Sequence, residues 1–301
     1  MGSSIAVVVP AFGRAAELAA ALRSVLAQTR PAERVLVVDD GSTPPLVLPV
    51  DLVGHVELLR LPANAGAAAA RQSAIEAIDT THVAFLDSDD TWHPDKLARQ
   101  AAMLEQAGVS DDVAIACGWS YTDGAGRIVR TQLPHASASL ADFCSGCWFC
   151  PGSTVLMSRR ALLGAGGFDP RLRRLEDLDL FLRFALAGGR VAVAPFVGAT
   201  IRKGSNARRL HVDQAAAILR GKFARTLAER AEPGLRRRLE AWLAVEQAAA
   251  AFNDGQRVRG AMHLARSLAL RPRLGLHLAD WWDEVEASHG PATRAAAPRS
   301  D

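Results

Sequence analysis

Three carboxylates lie within four positions at the end of a short apolar run, in the segment Phe85-Leu86-Asp87-Ser88-Asp89-Asp90. Carboxylates this close together raise one another's pKa and lower stability, unless a cation or hydrogen-bond donors offset their charge. Sites for divalent metals and nucleotide phosphates use such carboxylates. The segment is therefore a candidate metal site. A solvated turn is the alternative, because Asp and Ser are common turn residues.

A second acidic strand end lies upstream, in Val35-Leu36-Val37-Val38-Asp39-Asp40-Gly41-Ser42. If the two apolar runs form neighbouring parallel strands, both acidic ends lie at the same edge of the sheet. Ligands of open α/β sheets bind outside the carboxyl ends of the strands. Two acidic ends at one edge therefore favour a ligand site over two unrelated turns.

The pattern of apolar residues predicts the elements that position these segments. In the first half, strands are predicted at residues 5–9, 35–38, 56–59 and 82–86. Helices are predicted through Leu18, Leu22 and Val25, over residues 67–78, and from Pro94-Asp95 onward. The run at residues 5–9 is continuous, as in a strand that is buried on both faces. Strands and helices alternate as in βαβ units with right-handed crossovers, which predicts an α/β fold.

The second half combines short strands with helices. Strands are predicted at residues 113–117, 119–122, 128–131, 153–158 and 191–201. The Asp123-Gly124 pair predicts a hairpin turn among them. A helix is predicted from Glu176 to Ala187, with a C-cap at Gly188-Gly189. From Asn206 to about Ala287 the pattern is helical and rich in arginine, and the tail from Gly290 is predicted to be disordered.

Composition excludes several classes of protein. The chain has 301 residues, which is enough for one large domain or a domain with an appendage. Its net charge of +3 is small. No stripe of interleaved aromatic and basic residues indicates nucleic-acid binding. The longest apolar runs are shorter than the ~18 residues of a membrane-spanning helix, and the first run lacks the basic segment of a signal peptide. A cytoplasmic protein is expected.

Three of the four cysteines have the spacing Cys144-x-x-Cys147-x-x-Cys150. Metal sites of this kind usually have a second CxxC or a CxxH, and the sequence has neither. His135 is a possible but distant fourth ligand. Small buried thiols are therefore favoured over a metal cluster.

Six segments occur in an order that resembles family 2 glycosyltransferases. They are Val7-Val8-Val9-Pro10-Ala11-Phe12, Val37-Val38-Asp39-Asp40-Gly41-Ser42, Asn64-Ala65-Gly66 followed by Ala69-Ala70-Arg71, Phe85-Leu86-Asp87-Ser88-Asp89-Asp90, Gly166-Gly167-Phe168-Asp169, and Glu176-Asp177. The resemblance covers residues 4 to about 205. It implies a GT-A fold with a Rossmann-like, mostly parallel nucleotide-binding sheet. It also implies inverting transfer of a sugar from a nucleotide-diphosphate sugar, with a divalent metal.

The resemblance also implies how the chain is divided. A catalytic domain would cover residues 1–205, with a nucleotide-sugar-binding half at residues 1–110 and an acceptor-side half at residues 111–205. Beyond the resemblance, the residue pattern predicts an α-helical carboxyl-terminal region at residues 206–289 and a disordered tail at residues 290–301.

The resemblance assigns a donor-binding role to several positions. Asp39 would accept hydrogen bonds from the nucleotide base or ribose, since an ionised carboxylate is an acceptor only. Arg71 matches a family arginine near the base and diphosphate, where a guanidinium can bind oxygen atoms in a bidentate manner. The backbone of Pro10 and Ala11 would border the base, and Glu17 would help to close the pocket. The other implied donor-binding residues are Phe12, Asp87 and Ser88.

Asp87 and Asp89 match the DxD pair of the family. The resemblance implies that Asp89 meets Mn²⁺ or Mg²⁺ directly or through water, while Asp87 faces the ribose or the metal. The ion would neutralise the leaving diphosphate as the glycosidic bond breaks. Asp90 is expected only to orient its neighbours.

Asp177 is the expected base for the acceptor hydroxyl. It lies in the first turn of a predicted helix, where the helix dipole favours the ionised form. A base needs no raised pKa at neutral pH, because the carboxylate is its working form. Glu176 and Asp179 compete for the role, and capping of the helix by Glu176 and Asp177 is the structural alternative.

Four further residues have two interpretations each. Trp92, after the acidic segment, either lines the sugar site or packs against the following helix. Arg202, Lys203 and His211 follow the last predicted strand, where relatives often carry a basic loop over the diphosphate. An exposed basic connector is the alternative for these three residues.

The chain departs from the family pattern in two places. Gln72-Ser73-Ala74 follows the motif arginine where many relatives have Asn-x-Gly, which leaves the loop geometry and the donor base open. The segment from Cys144 to Gly152 has no recognisable acceptor signature. A sugar-phosphate nucleotidylyltransferase, one rival class, should have a Gly-rich basic loop where this chain reads Pro10-Ala11-Phe12-Gly13-Arg14. A non-catalytic nucleotide-sugar- or carbohydrate-binding relative is the other rival.

Several partners are expected from the resemblance. The donor is a nucleotide-diphosphate sugar, with UDP favoured over GDP or dTDP. The acceptor is a glycan, lipid-linked or small molecule, as in cell-envelope polysaccharide biosynthesis. Attachment to the inner membrane surface and a homodimer through the helical region stay open. Trp281-Trp282 is expected in a small helical core, with a membrane or partner contact as the alternative.

Overall fold

One sheet runs through the part of the chain that the computed structural model describes, which is residues 3–106, 111–123, 125–136, 139–202, 208–272 and 282–284. Its strands are β1 (Ile5–Ala11), β2 (Arg34–Asp39), β3 (Glu57–Arg60), β4 (His82–Phe85), β5 (Thr91–Trp92), β6 (Val113–Thr122), β7 (Ile128–Pro134), β8 (Leu156–Ser158), β9 (Arg190–Arg202) and β10 (Trp282–Glu284). The strand order is β10-β7-β6-β8-β4-β1-β2-β3, with β9 paired to β6 and β5 paired to β9.

Helices cover both faces of this sheet. They are α1 (Ala15–Leu26), α2 (Ala67–Ala77), α3 (Lys96–Gln106), α4 (Leu140–Phe143), α5 (Pro151–Thr154), α6 (Arg159–Gly164), α7 (Glu176–Leu186), α8 (Arg209–Ala228), α9 (Leu235–Asn253) and α10 (Arg257–Leu270). Apolar residues of α1 and α3 belong to one core, and those of α2, α7, α8 and α9 belong to the other.

The first four long strands are parallel and lie in the order β3-β2-β1-β4. Side chains of β1 alternate between the two cores, with Val8 in one and Val7 and Val9 in the other. This double burial accounts for the continuous apolar run. Strand β2, which ends at Asp39, and strand β4, which precedes Asp87, flank β1. The two acidic strand ends therefore lie at the same edge of the sheet, as predicted.

Beyond β4 the sheet is mixed. Strand β8 is antiparallel to β4 and β6, β7 is antiparallel to β6 as the predicted hairpin requires, and β9 is parallel to β6. Two strands are predicted at residues 113–117 and 119–122, but β6 runs through both. Gly118 lets the strand continue because it has no side chain. A Cβ atom at this position would lie only 2.8 Å from the carbonyl oxygen of Gln132 on β7.

Two other predicted elements are wrong. Of the predicted strand at residues 153–158, only Leu156–Ser158 pairs as a strand, because Pro151 suits a first helical position and starts α5. Trp282–Glu284 forms a strand antiparallel to β7, where a helix is predicted. Backbone pairing to the free edge of β7 thus overrides the helical pattern. Trp281 and the predicted tail lie outside the described residues.

The carboxyl-terminal helices pack onto the sheet. Leu219 of α8 and Leu243 of α9 belong to the same apolar core as Phe149 and Phe181. The predicted boundary at residue 205 falls between β9 and α8, and the residues on its two sides share this core. None of the described helices combines the length and the apolar composition that would let it cross a bilayer.

Candidate active site

A cavity of about 220 Å³ opens at the edge of the sheet where β1 and β4 end. We call it the strand-tip cavity. It is lined by Pro10, Ala11, Phe12, Asp40, Ala67, Arg71, Asp87, Ser88, Asp89, Arg174 and Glu176. All the predicted donor and metal residues line it except Glu17 and Asp39. Residues far apart in sequence are thus brought to one surface by parallel strand pairing.

Arg71 on α2 is the centre of this surface. Its side chain is 3% exposed and donates hydrogen bonds to Asp87 at 2.6 Å and to Glu176 at 2.9 Å, and Asp177 Oδ1 lies 3.7 Å away. Burial alone would lower the pKa of Arg71, but the charges of these three carboxylates outweigh burial and raise that pKa. Arg71 therefore stays charged and holds acidic side chains from two separate segments together.

The segment Gly166–Asp169 supports Arg71. Cζ of Arg71 lies 5.5 Å from the ring centroid of Phe168, which is a cation–π contact. Gln72 Oε1 accepts a hydrogen bond of 2.8 Å from the Phe168 backbone N–H. A Cβ atom at Gly167 would overlap the Gln72 side chain. Gln72, where many relatives have Asn, thus fixes this segment against α2.

Asp87 and Asp89 have different partners. Asp87 Oδ1 accepts from Arg71, and the Asp87 backbone N–H donates to Ser153 Oγ at 3.1 Å. Asp89 Oδ2 pairs with Arg14. The two carboxylate side chains are 41% and 17% exposed, in that order. Within the described residues, Asp87 Oδ2 and Asp89 Oδ1 have no hydrogen-bond partner.

Asp87 and Asp89 offer carboxylate oxygens to a divalent cation. Carboxylate oxygens suit hard cations such as Mg²⁺ and Mn²⁺. Among the described residues, no group of three His, Cys, Asp or Glu side chains could hold an ion by itself. Mg²⁺ sites in nucleotide-binding proteins use one or two carboxylates together with water and substrate phosphates. Asp87 and Asp89 fit a site of that kind.

Asp90 positions the acidic segment. Its buried carboxylate accepts hydrogen bonds from Ser153 Oγ at 2.6 Å and from the Arg202 backbone N–H at 2.9 Å. Burial, together with the nearby Asp87 charge, raises the pKa of Asp90 to about 8. The segment after β4 is thereby tied to α5 and to the end of β9, which agrees with the expected orienting role.

Asp39 and Asp40 hold backbone beside the strand-tip cavity. Asp40 accepts from the Ala65 backbone N–H at 2.6 Å and so fixes the loop before α2. Asp39 is fully buried, accepts from the Ser42 backbone N–H at 2.9 Å and pairs with Arg60. Burial opposes ionisation of Asp39, but these hydrogen bonds hold its pKa below the usual value. Contact between Asp39 and a base stays a prediction.

A second cavity of about 260 Å³ adjoins the first. We call it the helix-lined cavity, because α7 and α9 form much of its wall. It is lined by Arg71, Asp87, Cys147, Cys150, Pro151, Gly152, Arg174, Leu175, Glu176, Asp177, Leu178, Trp242 and Glu246. The two cavities share Arg71, Asp87, Arg174 and Glu176, while Asp177 lines only the second.

Asp177 has an unusual electrostatic environment. Burial raises its pKa, the charge of Arg71 lowers it, and the carboxylates of Glu176 and Asp87 raise it again, to about 7. A raised pKa is not among the sequence expectations. It means that the ionised fraction of Asp177 changes steeply around neutral pH.

Backbone strain lies two residues before Asp177. Leu175, the residue that precedes α7, has a φ of 58°, in the left-handed region that non-glycine residues rarely adopt. Such strain is held by surrounding structure and is common at functional sites. Here it sets where α7 begins, and therefore where Glu176 and Asp177 lie.

The two competitors for the role of base differ from Asp177. Asp179 is fully buried and pairs with Arg183 at 2.6 Å and Lys222 at 2.7 Å, so its candidacy as a base is wrong. Glu176 is bound by Arg71. Asp177 forms no hydrogen bond within the described residues and is the carboxylate of this pair that is left for a substrate.

Two other predicted site residues lie outside both cavities. Trp92 is buried, and its Nε1 donates to the Ser153 carbonyl at 2.7 Å. Lining of the sugar site by Trp92 is therefore wrong, and the packing interpretation is right. Glu17 pairs with Arg202 at 3.0 Å and joins α1 to the end of β9. Neither Glu17 nor Arg202 lines the strand-tip cavity or the helix-lined cavity.

The predicted basic loop is only partly described. His211 lies at the start of α8, where burial and then the charges of Arg173 and Arg208 hold its pKa below the usual value. His211 lines neither cavity. Lys203 lies outside the described residues.

The cysteine segment forms part of a cavity wall. Cys144 is buried, whereas Cys147 and Cys150 line the helix-lined cavity. Burial raises the pKa of all three thiols, so they are neutral at neutral pH. This agrees with the favoured interpretation of small apolar thiols.

Five residues of the cavities or the site are not predicted from the sequence, namely Arg14, Gly152, Arg174, Trp242 and Glu246. Arg174 stands in an arginine run next to the Glu176-Asp177 pair, which is a usable signal. Trp242 and Glu246 are four residues apart in an ordinary helical pattern. Nothing local distinguishes them, because their position depends on how α9 packs.

Comparison with known proteins identifies relatives. Residues 6–163 match the family described as Glycosyl transferase family 2. The pre-mycofactocin glycosyltransferase of Mycobacterium tuberculosis (strain ATCC 25618 / H37Rv) is 33% identical over 175 residues, which are 54% of this chain and 36% of that protein. The succinoglycan biosynthesis protein ExoO of Rhizobium meliloti (strain 1021) is 33% identical over 226 residues, which are 70% of this chain and 65% of ExoO. The chain thus spans only part of the length of these relatives.

A solved structure shares the fold. S. aureus TarS 1–349 in complex with UDP-GlcNAc has a TM-score of 0.55 at 18% identity, with 92% of each chain covered. The likeness extends through the carboxyl-terminal helices and shows a GT-A-like sheet. Because the family match includes more than half of the chain and both acidic strand ends, the chain belongs to glycosyl transferase family 2 and has a GT-A fold.

Proposed function

We propose that the protein is an inverting glycosyltransferase that moves a sugar from a nucleotide-diphosphate sugar to a hydroxyl group of an acceptor. The observation that carries this proposal is the pair of adjoining cavities with a shared wall at Arg71 and Glu176. One contains the acidic pair Asp87 and Asp89, and the other contains Asp177. A leaving diphosphate and an incoming hydroxyl group need two such neighbouring sites.

The strand-tip cavity suits a nucleoside diphosphate. Arg71 and Arg174 line it, and Arg14 reaches Asp89 at its edge. Guanidinium groups bind phosphate oxygens well because of their planar, bidentate geometry. TarS has been solved with UDP and with UDP-GlcNAc, which supports UDP over GDP or dTDP as the donor nucleotide.

Asp87 and Asp89 would hold the Mn²⁺ or Mg²⁺ ion. When bound, the ion would supply positive charge that stabilises the diphosphate leaving group. Arg71 keeps Asp87 oriented, and Asp90 anchors the segment to α5 and β9. These contacts fix the acidic pair before any ligand binds.

Asp177 acts as the general base in this proposal. It takes the proton of the acceptor hydroxyl while that oxygen bonds to the anomeric carbon of the sugar. The bond from the anomeric carbon to the diphosphate breaks, and its electron pair stays on the diphosphate oxygen. Attack from the face opposite the leaving group inverts the anomeric configuration. Only the ionised form of Asp177 can accept the proton.

A carbohydrate acceptor is the favoured class. ExoO is named for the biosynthesis of succinoglycan, and a similar Bacillus subtilis protein is named as a putative teichuronic acid biosynthesis glycosyltransferase. These names support an acceptor in polysaccharide assembly for the present chain. The carboxylate-rich helix-lined cavity is compatible with a hydroxyl-bearing ligand.

A nucleotide panel tests the proposal. UDP, GDP, dTDP and CMP are added with and without Mn²⁺, and the thermal unfolding midpoint is measured. We expect UDP with Mn²⁺ to raise the midpoint, since a ligand at 100 times its Kd stabilises a protein by about 2.7 kcal/mol. Asp89→Ala should lose the metal-dependent part, and the surface variant Asp79→Ala, whose side chain is 90% exposed, should keep it.

The same proteins are then assayed for release of UDP from UDP-sugars. Absence of stabilisation by any nucleotide would contradict a nucleotide-sugar site. Binding of UDP without turnover of any UDP-sugar would favour the non-catalytic relative instead.

A further inference from the structure

The far wall of the helix-lined cavity comes from α9, which no catalytic step above uses. Trp242 and Glu246 are four residues apart on this helix and therefore lie on the same face. Leu243 of the same helix is fully buried in the core. The helix thus contributes both to the core and to a cavity that contains Asp177.

Glu246 is an unpaired carboxylate. Within the described residues, it forms no hydrogen bond or ion pair. Burial raises its pKa, and the charge of Arg174 lowers it only in part. A carboxylate in a partly buried position costs free energy unless hydrogen-bond donors compensate it. A ligand in the cavity could provide those donors.

Trp242 is held in place by the cysteine segment. Gly146 has a φ of 126°, and a Cβ atom at this position would lie 2.7 Å from the Trp242 ring. Glycine therefore lets the backbone of the segment lie directly against the ring. The ring is half-buried, and it also borders the cavity. An aromatic ring fixed in this way offers a rigid apolar surface to a ligand.

We propose that Trp242 and Glu246 form a subsite for a sugar ring of the acceptor, an inference that rests on the proposed glycosyltransferase function. A pyranose has an apolar C–H face, which packs on an indole, and hydroxyl groups at its edge, which donate hydrogen bonds to a carboxylate. The cavity volume of about 260 Å³ lies below the ~300–1,000 Å³ of sites for drug-sized ligands, which suits a single ring. Because Asp177 lines the same cavity, a hydroxyl group of the bound ring can reach the base.

Saturation-transfer NMR with simple glycosides tests this subsite. The probes are the methyl β-glycosides of glucose, galactose and N-acetylglucosamine and the methyl α-glycoside of mannose, each with and without UDP and Mn²⁺. We expect at least one of them to bind the wild-type protein. Trp242→Leu and Glu246→Gln should each weaken this binding by about tenfold or more.

Two matched controls lie on neighbouring surfaces. Phe252→Leu removes an exposed aromatic ring farther along α9, and Glu229→Gln removes an exposed carboxylate after α8. Both should bind the glycosides as the wild type does. Glu246→Gln is nearly isosteric, so it tests the subsite even if Trp242→Leu folds poorly.

The outcomes separate the subsite from the proposed function. Absence of glycoside binding to the wild type, or unchanged binding in Glu246→Gln, overturns the subsite. Stabilisation by UDP is measured on every variant and should be unchanged. Loss of UDP binding in the wild type would refute the proposed function, whereas glycoside binding without nucleotide still reports on Trp242 and Glu246.

Discussion

In the proposed mechanism, Asp177 is the residue on which the chemistry depends most. It lines the helix-lined cavity in the first turn of α7, two residues after the strained Leu175, and it makes no hydrogen bond within the described structure. We expect Asp177→Asn to lower the rate of sugar transfer by about 10²–10⁴-fold, because general bases contribute that much. Binding of UDP, measured by thermal shift, should be nearly unchanged because Asp177 does not line the strand-tip cavity.

The matched control for this substitution is Asp79→Asn, at a side chain that is 90% exposed and remote from both cavities. It should transfer sugar at the wild-type rate. Near-normal turnover by Asp177→Asn would remove Asp177 as the base.

The raised pKa of Asp177 predicts a pH profile. Turnover of donor should fall as pH decreases through about 7, because protonation removes the base. Glu176 raises this pKa and Arg174 lowers it. Glu176→Gln should therefore move the acid limb of the kcat/KM profile to lower pH, and Arg174→Gln should move it to higher pH. Shifts in the same direction for both variants would contradict the assignment.

Gly152 supports the acidic pair without any polar group of its own. A Cβ atom there would lie 2.7 Å from Asp87 Oδ2 and 3.3 Å from an Arg71 terminal nitrogen. Gly152→Ala should displace Asp87, weaken the metal-dependent part of UDP binding and lower turnover by about tenfold or more. Gly221→Ala, on α8 with nothing near its added Cβ atom, is the matched control and should keep full turnover. Calorimetric titration with UDP and Mn²⁺ measures the difference.

The site residues that sequence predicts and those it misses differ in a physical way. Asp87 follows a strand end, Asp177 lies in the first turn of a helix, and Arg71 belongs to a motif of the family order, so local pattern and family order identify them. Trp242 and Gly152 become part of the site only through packing between distant segments. A single sequence carries no signal of such contacts.

Ion pairs between elements hold the start of α7 in place. Lys222 of α8 pairs with Asp179 at 2.7 Å and with Asp169 at 3.3 Å, and Asp179 also pairs with Arg183. Asp169 belongs to the motif segment that supports Arg71. These pairs connect a carboxyl-terminal helix with two parts of the family pattern. The helix therefore contributes to the geometry of the site.

Lys222→Met tests this connection. The substitution keeps most of the side-chain volume but leaves the buried Asp179 with one cationic partner fewer. Loss of a partner from a buried polar group costs about 1–3 kcal/mol, so the free energy of unfolding should fall by this amount. Arg225→Met, one turn away at an 89% exposed side chain, should change it by less than about 0.5 kcal/mol. Equal effects in urea unfolding would show that the buried pair contributes nothing specific.

Elements with strong periodicity are predicted well. Elements that depend on a single proline or on pairing with a distant strand are not. Strand β1 and helix α7 follow from a continuous apolar run and from a stripe that ends in a glycine pair. The sequence does not predict the helical turn at Pro151–Thr154 or the strand at Trp282–Glu284. The first depends on a proline at the first helical position, and the second depends on an edge strand more than a hundred residues away.

At the scale of the whole molecule, two apolar cores lie on opposite faces of one sheet. The core that contains Phe149 and Phe181 is completed by Leu219 and Leu243 from α8 and α9. The proposed acceptor subsite is on α9 as well. The carboxyl-terminal helices thus share a core with the sheet rather than forming an appendage with a core of their own, and under the proposal they also bind the acceptor.

A truncated chain tests this view of the molecule. A fragment of residues 1–205 lacks α8 and α9 and would expose the apolar face formed by Phe149 and Phe181. We expect the fragment to show no cooperative thermal unfolding and to bind the dye ANS, as proteins with an incomplete core do. A chain of residues 1–272 keeps α8 to α10 and should unfold cooperatively. If residues 1–205 unfold cooperatively near the midpoint of the full chain, the predicted catalytic domain is independent, and the shared core is not needed to hold Asp177 in place.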